Sequence, residues 1–139
     1  MRLEPTVGAD LRDYKFFCFG GEPRLCQVIS DRYSDEKIDF YDMDWKRLVG
    51  LVGLAKNANN SDSDIPCPQS FEEMKRIAGT LSAGIPFARI DLYEINRKPY
   101  FGEITFFPYS GFGEFRPEEW NFKIGSWIDL GHNSMKNIP

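Results

Sequence analysis

Phe87-Ala88-Arg89-Ile90-Asp91-Leu92-Tyr93 and, after a polar turn over 94–98, Tyr100-Phe101-Gly102-Glu103-Ile104-Thr105-Phe106 decide how this chain folds. Both stretches alternate apolar with polar side chains and are rich in aromatic and β-branched residues, the pattern of a β-hairpin. Strand periodicity places Phe87, Arg89, Asp91 and Tyr93 on one face of the first strand, and Phe101, Glu103 and Thr105 on one face of the second. A turn centred on Arg97 sets Asp91 opposite Glu103 and Arg89 opposite Thr105. Two carboxylates directly across an antiparallel pair repel each other. A fold tolerates that by protonating one acid, by turning both to water, or by placing a cation between them. The Phe, Tyr, Ile and Leu neighbours argue against free solvation of both, and Mg²⁺ prefers one or two carboxylates together with phosphate oxygens. The alternative is an edge hairpin whose acids face solvent and pair with Arg89; spacing leaves both open.

Upstream, residues 14–19 and 24–30 flank Gly20-Gly21-Glu22-Pro23 and read as a first hairpin. Alternation puts Lys15 on the face of Phe17 and Phe19, with Arg24 and Arg32 near in sequence. If both hairpins share one sheet, Lys15 could reach the phosphates of a ligand held by the acidic pair; otherwise it snorkels to solvent at a strand end. Residues 38–42 suggest a third strand, and 44–54 a short helix with Trp45, Leu48, Val49 and Val52 at helical spacing. Residues 58–64 form a polar loop with no reason to pack. The clearest helix follows: Ser70 and Glu73 make a capping box, Phe71, Met74, Ile77, Ala78 and Leu81 line one face, and Gly84 stops it. Pro117 opens a last short helix carrying Trp120 and Ile124. Strands outnumber helices, so the expected fold is α+β, a mainly antiparallel sheet with helices on one face.

The chain has 139 residues, 42% of them hydrophobic and 15% aromatic, which suits one domain over 1–139 with 131–139 as a flexible tail. A net charge of −4 argues against a nucleic-acid partner. No run of about eighteen apolar residues occurs and the first residues lack a signal peptide's apolar core, so a cytoplasmic protein without a membrane span is expected. Cys18, Cys26 and Cys67 show no paired spacing and read as three buried thiols. A single His, His132, leaves little for triad chemistry, so catalysis would fall to carboxylates, Lys, Arg and a metal. Asp42-Met43-Asp44 matches a sugar-nucleotide Asp-x-Asp pattern in letters only, beside Trp45, which is better placed as a core anchor.

Taken together, Arg89-Ile90-Asp91 and Glu103-Ile104-Thr105 with the following Pro108 resemble the last two core strands of ATP-grasp enzymes, where Arg-x-Asp precedes Glu-x-Asn. The segments 13–21, 40–45, 101–108 and 115–120 are similar, in order, to the TupA-like ATP-grasp family of bacterial cell-surface polysaccharide biosynthesis, over about Glu4 to Leu130. That resemblance implies an ATP-dependent carboxylate–amine ligase-like activity with Mg²⁺ and ATP as cofactors. By position it makes Asp91, Glu103 and Thr105 the metal ligands and Arg89 the residue that stabilises the transferring phosphoryl group. Lys15, Glu4 and Arg32 would contact the nucleotide, and Tyr109, Ser110 and Gly111 would line the acceptor side. Thr105 departs from the usual Asn and offers a hydroxyl in place of an amide carbonyl.

The resemblance is to the C-terminal portion of the family. It implies an N-terminal ATP-grasp half or a second copy as partner, a small-molecule or glycan-precursor substrate, and little activity alone. Relatives are often labelled glycosyltransferases, although no sugar-nucleotide motif supports that here. A shortened, non-catalytic binding or assembly module is the rival.

Overall fold

The computed structural model describes residues 12–30, 37–53, 60–61, 64–106, 115–116, 119–120, 122–124 and 126–127. Five strands form one antiparallel sheet: β1 (Asp13–Phe19), β2 (Glu22–Ser30), β3 (Lys37–Tyr41), β5 (Ala88–Ile95) and β6 (Lys98–Phe106), in the order β3-β2-β1-β5-β6. A two-stranded ribbon, β4 (Val52–Gly53) with β7 (Phe115–Arg116), lies outside it. The α+β class expected from the sequence is the class observed.

Both hairpins are built the same way. Gly20 and Gly21 (φ 63° and 88°) close the first, and Asn96 and Arg97 (φ 52° and 66°) close the second, in two-residue turns that match strand twist. Each then carries a β-bulge on its second strand, at Arg24 and at Gly102. The second turn therefore lies between Asn96 and Arg97, not on Arg97 alone. The bulge at Gly102 restores the expected register beyond it, so Asp91 faces Glu103 and Arg89 faces Thr105. It also moves Phe101 opposite Leu92, off the face of Glu103 where unbroken alternation had put it. Gly102 is required there: a Cβ would stand 3.0 Å from Tyr93 Oη and 3.1 Å from the Asp91 carbonyl oxygen.

The sheet buries both faces. On one, Tyr14, Phe16, Cys18, Cys26, Val28, Ile90 and Leu92 pack under α1 (Phe71–Leu81), which contributes Phe71, Met74 and Ala78. On the other, Phe17, Phe19, Leu25, Ile38, Phe40 and Phe87 pack against Leu51 and Ile124, with Trp120 and Trp127 at the margin. Among the described residues α1 thus lies on one face, and the helical turns around Ile124 close the other. Phe19 and Phe87 stack at 4.7 Å, and each such buried ring stabilises the fold by about 2–3 kcal/mol.

Four local expectations are corrected. Of the helix expected over 44–54, the described residues 44–53 form none: Asp42 Oδ1 accepts the backbone N–H groups of Asp44 and Lys46 at 2.9 Å each, and that local turn displaces helical pairing. Trp45, at φ 59°, instead stacks on Tyr41 at 4.1 Å and donates to the Ile65 carbonyl, the anchoring role expected of it. Within the polar loop expected over 58–64, Asn60 and Ser61 do pack: Asn60 donates to the Ile38 and Leu51 carbonyls and Ser61 bonds the fully buried Asp39. Ser70 caps α1 without the expected box, because its N–H and Oγ both donate to Glu94 Oε2 at 2.7 Å, tying the helix start to β5. Cys18 and Cys26 are buried as expected but Cys67 is exposed.

Candidate phosphate and metal site

β1 and β5 are neighbours, and their register sets Lys15 directly opposite Asp91. The two central strands therefore deliver a cation and an acid to one spot, on the sheet face opposite α1. There the strands outrun the Phe17–Phe87 core, and an open cleft of about 370 Å³ is lined by Asp13, Lys15, Asp91, Tyr93, Gly102 and Glu103.

Asp91 is buried, at 4% exposure, and is held from two sides. Lys15 Nζ donates to Oδ2 at 2.9 Å; Arg89 Nε donates to Oδ1 at 2.8 Å and its Nη2 to Oδ2 at 3.0 Å. Arg89 Nη2 also reaches Glu103 Oε1 at 3.3 Å, so its guanidinium lies between the two acids. The repulsion expected across the hairpin is met by two devices together. Asp91 is clamped by charged donors, while the Glu103 side chain remains 65% exposed on edge strand β6. Asp13 stands 3.8 Å from Lys15 Nζ and adds a third carboxylate to the rim.

Of the residues expected from sequence, the structure brings together Lys15, Arg89, Asp91 and Glu103. Thr105 faces Arg89 across the β5–β6 pair but does not line the cleft. Glu4, Arg32, Tyr109, Ser110 and Gly111 lie outside the described residues. Asp13 and Gly102 went unselected as site residues; the same alternation that carries Lys15 carries Asp13, and a glycine inside a strand marks a bulge or close approach.

The donor set is hard oxygen: two facing carboxylates, with no cluster of three or more His, Cys, Asp or Glu among the described residues. That suits Mg²⁺, which takes few protein carboxylates and completes its shell with water and phosphate. The thiols lie elsewhere: burial pushes Cys18 up to about 12 and Cys26 well above its ordinary value, so both stay protonated, uncharged core groups.

Fold and site together define an α+β domain in which β1, β5 and β6 bring Lys15 and an acidic pair to one open cleft, with Arg89 bonded to both acids beside it. The TupA-like ATPgrasp family model matches residues 2–129, and the chain belongs to that family. No curated protein and no solved structure matches it. No helix among the described residues is long and apolar enough to cross a membrane.

Proposed function

We propose that this chain is the metal- and ATP-phosphate-binding portion of a carboxylate–amine ligase-like enzyme of cell-surface polysaccharide biosynthesis. The observation that carries the proposal is the register that sets Asp91 against both Glu103 and Lys15, with Arg89 between the two acids. Asp91 and Glu103 would hold Mg²⁺, which when bound neutralises phosphate oxygens. Lys15 offers a compact ammonium to phosphate, and Arg89 a planar fork suited to charge that spreads over a transferring phosphoryl group. Gly102, on the cleft wall, lets Tyr93 and the β5 backbone pack where a Cβ would stand. Thr105 is a weaker ligand candidate, set opposite Arg89 outside the cleft. The acceptor, a small molecule or glycan precursor, and an N-terminal ATP-grasp half or second copy complete the proposal.

A second reading is a non-catalytic module. It is favoured by the completeness of the Lys15–Asp91–Arg89 network, which leaves the buried acid neutralised as the protein stands. Thermal unfolding with and without Mg²⁺ plus ATP separates the two. A ligand present at a hundred times its Kd stabilises by about 2.7 kcal/mol, a rise of several degrees in Tm. The proposal expects that rise in the native chain and none in Asp91→Asn or Glu103→Gln. An unchanged Tm in the native chain favours the module.

A further inference from the structure

We infer that the cleft refuses a free divalent cation and accepts one only together with a polyanion, because Lys15 and Arg89 act as built-in counter-ions that a polyanion must draw away first. The inference rests on the phosphate-and-metal reading above and adds a coupling to it.

A carboxylate offers about four lone-pair directions. Three at Asp91 are filled by charged donors: Lys15 Nζ and Arg89 Nη2 on Oδ2, and Arg89 Nε on Oδ1. A divalent ion at about 2 Å from either oxygen would sit beside an ammonium or a guanidinium bonded to the same carboxylate. Like charges at that range, away from bulk water, repel strongly. Displacing the donors offers the bare ion no escape. The Lys15 and Arg89 side chains are only 11% and 20% exposed, and a cation stripped of its partner at such a site is costly.

A polyphosphate changes the balance. Its oxygens accept the ammonium and the guanidinium in charge-assisted bonds as good as those lost. Asp91 is then released to face Glu103 across the strand pair. Asp13, 3.8 Å from Lys15 Nζ, gives the ammonium a second anion to lean on during the exchange. Metal and polyanion thus favour each other, and linkage requires the coupling to run equally in both directions.

The test is calorimetric titration of the chain with Mg²⁺ alone, with inorganic tripolyphosphate alone, and with both. The expected result is no saturable binding of Mg²⁺ alone, and tripolyphosphate binding about tenfold tighter or more when Mg²⁺ is present. Lys15→Met, which keeps the aliphatic stem, should move the two affinities in opposite directions: tighter for bare Mg²⁺, weaker for Mg²⁺–tripolyphosphate. Circular dichroism verifies its fold, and Lys15→Gln serves where Met does not fold. Mg²⁺ binding equally well with and without tripolyphosphate overturns the inference and leaves the metal-and-phosphate reading standing. Bare Mg²⁺ binding no tighter in the Lys15 variant than in the native chain also overturns it. Absence of any Mg²⁺–tripolyphosphate binding overturns both.

Discussion

Asp91 and Glu103 face each other across one strand pair, yet they live in different surroundings. Asp91 is buried and gripped by Lys15 and Arg89, whereas the Glu103 side chain is 65% exposed with one long contact to Arg89. Asp91→Ala strands two cations that are largely out of water and should cost about 2–4 kcal/mol. Glu103→Ala should stay within about 0.5 kcal/mol of the native chain. Urea unfolding of the two variants measures both, and equal losses would mean that Asp91 is not clamped in solution. Periodicity pairs these acids correctly only because two offsets cancel: the turn lies between Asn96 and Arg97, and the bulge at Gly102 takes up the one-residue shift. It could not reveal their asymmetry. That depends on β5 lying inside the sheet and β6 at its edge, which is a matter of strand order. Nor could it show that Lys15 meets Asp91 directly, since β1 and β5 are far apart in the chain.

At the scale of elements, the two hairpins were legible because their aromatic, alternating strands and polar turns are local features. The helix expected over 44–54 failed for an equally local reason. Helical spacing of Trp45, Leu48, Val49 and Val52 lost to the Asp42 side chain, which bonds two backbone N–H groups and turns the chain. The bulge at Gly102 was hidden, although it decides which side chains share the site face. The second hairpin offers its own test. Arg97 holds φ 66°, a left-handed conformation that costs an ordinary residue about 1–2 kcal/mol and glycine little. Arg97→Gly completes the Asn-Gly pair that such turns prefer. A gain of about 0.5–1 kcal/mol in urea unfolding is expected once the added freedom of the unfolded chain is subtracted. A loss would contradict this turn geometry.

Across the whole molecule, one sheet buries an aromatic core on each face and extends beyond one of them to hold charged groups over a cleft. The core sets a pH limit. Burial lifts the Cys18 thiol from 9.0 to about 12 and raises Cys26, Tyr14 and Tyr41 in the same direction. A raised folded value means the folded chain keeps protons that the unfolded chain releases. The stabilisation is complete below about pH 9, and for Cys18 it is lost between 9 and about 12. Urea midpoints should therefore fall above pH 9, by up to about 1.4 kcal/mol per pH unit for this thiol. The fall should be shallower in Cys18→Ala; an identical slope there would remove Cys18 as a cause. Both buried thiols stay protonated at neutral pH, so ligand binding is read there. The central claim is that Asp91, Glu103, Lys15 and Arg89 form a working Mg²⁺–ATP site. Its most direct test is calorimetric titration of Mg²⁺–ATP into the native chain and into Glu103→Gln, the site variant expected to keep full stability. The account predicts saturable binding near one equivalent in the native chain and a loss of about tenfold or more in the variant. Equal affinity in the two chains, or no binding in either, would contradict it.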